Sequence, residues 1–538
     1  MIVFEAAGIT PLGIFPPPLE FFLQKNNYIL ERQCSPPLPH QLISSNYISA
    51  KSGERSRSAG HSTHRRRTVK TLLHTRILRS FRNLHTNQMR LWLHLFSLVA
   101  AGLCVHAFSY NGGNSQSGNP GGNKRPPQNQ QSQSSGQSRL REVFSWTQLD
   151  FVYPNQRARE QAINSGAFVP DGSMVPISVF GAGNRVFLAM PRWKNGVPAT
   201  LAYADLSSTN RSPPLIPYPS WELNRQGNCQ GLTSVFRVMI DDCDRMWVLD
   251  TGLVNTFEDG KRICPPQVVT IDLKTDRIIN RFRIPQSALK EDSLPVTIEV
   301  EYPKGTCGKL TDAVVYMADT TTYAIIVADL STNRAWRVTD KTVFPSPEAG
   351  TFNVAGETFE LMDGVLALAL GPNLGQRGRT LYFSAMSSFQ QRWVQTSVLR
   401  NESAANNQPL AFQTGTQMRP GQSAGSGMDK NGVLFFGFVN SDTLACWNTR
   451  KSFEPKNIAK LAQNSQTMQF FATVSVDKRQ RVWAISSRFQ SFFSGTMNPR
   501  DVNFRVFMAE SSTELIKDTV CANDASNLNA PQQLVFRP

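Results

Sequence analysis

The sequence predicts an all-β fold: a six-bladed β-propeller whose ring is closed by an N-terminal strand. Three observations carry this. The stretches VMIDDCDRMWVLDTG (238–252) and VSVDKRQRVWAISSR (474–488) repeat Val, Asp, Arg and Trp at the same offsets. Their shared pattern is an apolar strand, a polar turn with Asp, and a second strand with an early aromatic. It recurs around Phe187, Tyr316, Tyr382 and Phe436. With Trp247 and Trp483 that makes six units, spaced 60, 69, 66, 54 and 47 residues apart. Several short strands per unit of roughly this length read as propeller blades. Helical periodicity is almost absent; PNQRAREQAINSG (154–166) is the one stretch that reads as a helix.

In chain order, residues 1–88 read as an upstream extension. They have Pro-rich patches, the basic run HRRRTVK and no sustained apolar period. Residues 89–107 have the form of a secretory signal peptide. Met89-Arg90 gives the charged start, 91–105 the apolar stretch and Val105-His106-Ala107 the small-residue cut, so the mature chain is expected to begin at Phe108. A signal anchor is the alternative. However, 91–108 is short for a membrane span and includes His94 and His106. The expected location is therefore secreted and extracellular, with no membrane attachment after cleavage. Residues 108–138 are Gly, Gln, Asn, Ser and Pro with little to bury, and read as a disordered arm. Such an arm serves as a spacer or holds the protein in an extracellular matrix. The propeller spans 139–525 and a C-terminal tail 526–538.

The front end distorts the composition. The chain has 56 Lys+Arg against 40 Asp+Glu, a net charge of +16. Residues 1–107 hold 13 and 4 of these, leaving 43 against 36, or +7, in the mature chain. No basic stripe with interleaved aromatics follows, so no nucleic-acid partner is expected. All seven histidines lie at or before position 106. A mature chain without histidine excludes Ser-His-Asp and Cys-His catalysis and any histidine-ligated metal. Catalysis there would need carboxylates, Lys, Tyr, Cys or a hard metal ion. DDCDR (241–245) lacks the spaced oxygens of a calcium loop and reads as a strand turn. GAGNR (181–185) opens no helix and is not a phosphate loop. Neither a metal nor a cofactor is expected.

Within the ring, strands are called a to d from channel to rim. The last unit shows three strands, and VFSWTQLDFVYP (143–154) has no unit of its own. The N-terminal stretch is therefore expected to supply the outer strand of the last blade. Six cysteines remain after the front end, an even number that suggests disulfides in a secreted chain. Loops d–a and b–c lie on one face, a–b and c–d on the other. This parity pairs Cys229 with Cys264 and Cys243 with Cys307, and leaves Cys446 with Cys521. Asn210 and Asn401 stand in N-x-S sequons.

The stretches SWTQLDF, PRWKNGVPATLAY, LIPYPSW, DRMWVLDTG, FNVAGETF, RTLYFS, ACWNT and NFRVF together resemble the Yellow and major royal jelly protein family of insects over about 139–525. The placement of the six cysteines agrees. The resemblance implies a secreted six-bladed propeller. Family members act in cuticle pigmentation and melanin chemistry, in eggshell hardening, as food proteins and as salivary binders of biogenic amines; dopachrome conversion belongs to some. One departure is Ser346 in FPSPEAGTFNVAG, where the family usually has an acid after Phe-Pro; Glu348 is the acid nearby.

Strand ends and loops from every blade converge on the channel mouth. The end of strand b and the start of strand a share that face, which places Thr473, Ser487 and Phe489 there in the last blade. Asn440 and Asp319 hold the equivalent strand-b ends of two other blades. In the family's amine binders a threonine, a polar residue and an aromatic near these positions look like ligand contacts. An aromatic face with hydroxyls suits a flat catechol or indole ring with a cationic tail, and Asp319 is the expected ammonium partner. The expected partner is thus a small aromatic amine or catechol-derived ligand. The expected role is cuticle or eggshell pigmentation and hardening, without catalysis. A dopachrome-converting isomerase and a structural matrix protein are the rival readings.

Overall fold

The computed structural model describes residues 139–522, apart from 306, 376 and 377. The extension 1–88, the signal 89–107 with its Ala107–Phe108 cut, the arm 108–138, the tail 526–538 and all seven histidines lie outside the described residues.

Six four-stranded antiparallel sheets form a ring of blades. The inner a strands, Ser178–Ala182, Val235–Ile240, Pro295–Glu301, Val365–Leu370, Ser426–Met428 and Phe471–Val476, neighbour one another around the channel in blades 1 to 6. The six aromatics of the sequence repeat all fall in b strands and are at most 6% exposed. They fill the space between blades, where large rings bury the most apolar area. Gly181 marks one tight contact: a Cβ there would lie 2.3 Å from the Trp483 ring, so blade 1 can approach blade 6 only because the side chain is missing. The last sheet takes its a, b and c strands from Phe471–Val476, Val482–Ser486 and Phe504–Ala509. Its fourth is Arg141–Trp146, antiparallel to Phe504–Ala509 from Arg141↔Met508 to Trp146↔Phe504.

The repeated Asp, Arg and Trp form one hydrogen-bonded unit. Asp477 accepts from the backbone N–H groups of Arg479 and Arg481 at 2.9 Å, from Arg481 Nε at 2.6 Å and from Trp483 Nε1 at 3.0 Å. Asp241 accepts equivalently from Cys243, Arg245 and Trp247, and also from the Tyr302 hydroxyl at 2.8 Å. DDCDR is thus an a–b turn closed by its first aspartate.

Three disulfides join Cys229 to Cys264, Cys243 to Cys307 and Cys446 to Cys521. Such bonds persist in oxidising compartments. The stretch 154–166 contains the helix Gln156–Asn164, whose N-cap Asn155 accepts from Ala158 N at 2.9 Å. Asn210 and Asn401 are both exposed. Asn401 caps the helix Glu402–Asn407 through its side-chain oxygen, which leaves its amide nitrogen at the surface.

Candidate functional site

The d–a and b–c loops meet at one end of the channel and enclose a cavity of about 530 Å³. One side is aromatic. Trp193 comes from the b–c loop of blade 1, Phe257 from that of blade 2, and Phe489 and Phe493 from the helix Phe489–Ser494 that follows strand b of blade 6. Trp193 meets Phe489 at 5.5 Å and 64°, and Phe470 lies 4.8 Å from Phe489. The chain turns abruptly into this helix at Arg488, with φ 42°, and leaves it at Gly495, with φ 71°. The d–a loop before blade 4 adds a hairpin, Thr351–Val354 with Glu357–Glu360. Its Glu357 accepts from Ser491 Oγ at 2.6 Å and from Thr496 Oγ1 at 2.7 Å, and Phe359 lies 5.0 Å from Phe493. Helix and hairpin form one flap over the mouth.

The rest of the rim is acidic. Glu258, Glu291 and Asp292 are exposed and Asp363 is half-buried. Among them Arg262 donates to the carbonyls of Thr251 at 2.7 Å and Ser293 at 2.6 Å, and burial pushes its pKa down. The Thr256 hydroxyl is buried in the same wall without a hydrogen-bond partner.

Arg237 forms the floor. Its guanidinium crosses the channel to Thr297 Oγ1 at 2.7 Å and to the carbonyls of Leu366 at 3.3 Å, Ala424 at 2.7 Å and Ala472 at 2.8 Å. Burial pushes its pKa down to about 10, which still leaves it charged at neutral pH. Beyond it, on the a–b side, lies a second cavity of about 400 Å³ that Arg237 also lines. There, burial raises Glu299 to about 7, against the opposing influence of Arg379 and a backbone N–H.

The expected site residues are dispersed by the structure. Phe489 lines the mouth cavity. Thr473 lines the second cavity, and its hydroxyl donates to the Ile177 carbonyl at 2.5 Å. Ser487 is fully buried, lines neither cavity, and its hydroxyl has no partner. Asn440 is exposed and lines neither cavity. Asp319 is fully buried behind the wall, where its carboxylate holds Arg337 at 2.7 Å, Ser293 Oγ at 2.7 Å and Thr322 Oγ1 at 2.6 Å. With those partners it is not a free counter-ion; the acids that face the cavity are Glu258, Glu291, Asp292 and Asp363. Sequence reasoning missed Arg237, whose one trace is a lone charge inside the apolar strand SVFRVMI.

Fold and site together define a six-bladed β-propeller with a ligand-sized, aromatic and acidic cavity at one end of a plugged channel. The chain belongs to the major royal jelly protein family, whose profile matches residues 233–521. Dopaminechrome tautomerase of Drosophila melanogaster is 37% identical over 405 residues, 73% of this chain and 86% of that protein. Protein yellow of the same species is 34% identical over 409 residues, 74% of each chain. Among solved structures, virginiamycin B lyase from Staphylococcus aureus matches at a TM-score of 0.32 and 10% identity, covering 63% of this chain and 96% of that one, too distant to inform the site.

Proposed function

We propose that the protein is secreted and binds a small aromatic amine or catechol-derived melanin precursor at the mouth cavity, acting in pigmentation or hardening of cuticle or eggshell. The observation that carries this reading is the pairing of an aromatic wall with an acidic rim in one cavity of about 530 Å³. Rings stack on the wall while carboxylates at the rim hold an ammonium group. The three disulfides suit an extracellular site of action. Isothermal titration with dopamine, serotonin and related amines tests the reading, and absence of heat with all of them overturns it. Phe489→Ala is expected to weaken binding about tenfold, the loss of one stacking face. N-terminal sequencing of secreted material checks the cut before Phe108, and deletion of 108–138 tests whether the arm retains the protein in a matrix.

The similarity to dopaminechrome tautomerase favours a second reading, conversion of an aminochrome. A tautomerase moves a proton between two atoms of its substrate, and the half-buried Asp363 is the rim carboxylate best shielded from water for that role. Loss of dopaminechrome absorbance with purified protein, measured against a heat-killed control, separates catalysis from binding.

A further inference from the structure

We infer that the second cavity, at the end of the channel opposite the mouth, is a proton-transfer site in which Glu299 is the base. The inference rests on the tautomerase reading above and gives that chemistry a different cavity and a different carboxylate.

Glu299 lies on the inner strand Pro295–Glu301 of blade 3. Two residues earlier, Thr297 meets Arg237 on the channel floor through its hydroxyl. Side chains two apart on a strand share a face, so Glu299 stands roughly 7 Å further along the channel. There it lines the second cavity and is half-buried. Its carboxylate takes the backbone N–H of Leu370 and lies within reach of the Arg379 charge; among the described residues no side chain is hydrogen-bonded to it. The other acids of this cavity are committed elsewhere. Asp241 and Asp477 each close a turn and hold an Arg and a Trp, and Asp241 also holds the Tyr302 hydroxyl. Burial raises the pKa of Asp429 as well, but its oxygens accept from the backbone N–H groups of Asn431 at 2.9 Å and Val433 at 2.8 Å and from Ser512 Oγ at 3.0 Å. Asp242, Lys430 and Lys478 are exposed in the turns at the outer end, Lys478 paired with Asp244. Glu299 is thus the inner carboxylate of the cavity left open to a ligand.

Its surroundings suit proton transfer. Burial holds the Glu299 proton up to about pH 7, so near neutral pH the group can take a proton and return it. Arg379 beside it and Arg237 at the floor favour negative charge that develops on a ligand oxygen. Met239, Leu368 and Met428 supply apolar wall, and about 400 Å³ holds a bicyclic ring. An aminochrome has a saturated carbon joined to a conjugated quinone ring. Glu299 removes one proton from that carbon. The C–H electron pair moves through the ring onto a quinone oxygen, which then takes up a proton. A second shift of the same kind, from the neighbouring carbon to the other oxygen, gives the aromatic diol. Two C–H bonds become two O–H bonds, and no oxidant or reductant is consumed.

The test follows loss of dopaminechrome absorbance across pH with the intact protein, after subtraction of the uncatalysed rate. In the unaltered protein kcat/KM is expected to rise with pH and level off above about 7, as the base loses its proton. Glu299→Gln is expected to lower kcat at least about 100-fold with KM within about threefold, and to flatten that rise. Glu299→Asp keeps a carboxylate and is expected to recover at least about tenfold over Gln, with the rise restored. A merely structural role would lower the rate without removing the pH dependence, so the profile decides. A rise that survives in Glu299→Gln overturns the inference. So does its loss in Asp363→Asn alone, which places the chemistry at the mouth and leaves the tautomerase reading intact. No turnover by the unaltered protein overturns that reading and the inference with it.

Discussion

Asp477 is buried and accepts four hydrogen bonds, two from backbone N–H groups of its own turn and two from the side chains of Arg481 and Trp483. Asn in its place keeps the shape but leaves the buried Arg481 guanidinium without its charge partner. Asp477→Asn is expected to cost about 2–4 kcal/mol in urea unfolding, since breaking a buried pair leaves an uncompensated ion; a change within about 0.5 kcal/mol would count against the arrangement. Glu299 gives a prediction of opposite sign. The folded chain holds its proton up to about pH 7, while an ordinary glutamate releases it near 4.5. Folding therefore loses stability as pH rises between those values, and the full penalty is present above pH 7. Glu299→Gln is expected to be neutral near pH 4.5 and stabilising at pH 8, on the order of 1–2 kcal/mol because water in the cavity softens the penalty. Thermal melts at the two pH values check it. At this scale the Asp, Arg and Trp of the repeat were legible because their partners lie within six residues. Asp319 was misread because Arg337, which takes its charge, stands 18 residues away on another strand.

The blade strands were legible because each b strand carries an aromatic near its start and, in the repeat, follows an apolar strand and a polar turn. The flap was not. Its helix, Phe489–Ser494, is too short to display a period, and its support from Glu357 comes from 134 residues away. Two hydrogen bonds from Glu357 join the halves of this element. Glu357→Ala is expected to speed hydrogen exchange across 489–496 several-fold, because local opening no longer breaks those bonds. It should also raise the ligand dissociation rate, while the melting temperature moves by only about 2 °C. Mass-spectrometric exchange and stopped-flow release measure the two effects. Unchanged exchange in that segment would show that the aromatic contacts alone hold the flap.

For the whole molecule, strand parity around the ring brings the same cysteine pairs to one face that the disulfides join, since two of the three connect loops of matching type. The channel floor was invisible at that level: Arg237 gathers partners from four other blades, and no local pattern encodes such a convergence. The last blade draws on both ends of the described chain. Val143, Phe144 and Trp146 are buried, and without Arg141–Trp146 the strand Phe504–Ala509 becomes an open edge. A chain starting at 147 is expected to elute from size exclusion as aggregate rather than monomer; a monomeric peak with native melting would contradict that role for the strand.

That pairing also sets a clock. Thr147, next to the strand, accepts a bond from Asn503, 356 residues further on. At about 5–20 residues per second, the ribosome needs roughly 20–70 s to deliver the second partner after the first. Throughout that interval an apolar segment with a Trp and a Phe waits in the nascent chain without the strand it pairs with. Chaperone holding of the segment 141–146 is therefore expected to assist folding of this architecture. Shortages of chaperone should reduce the yield of this protein more steeply than that of a chain whose first strand pairs with its second.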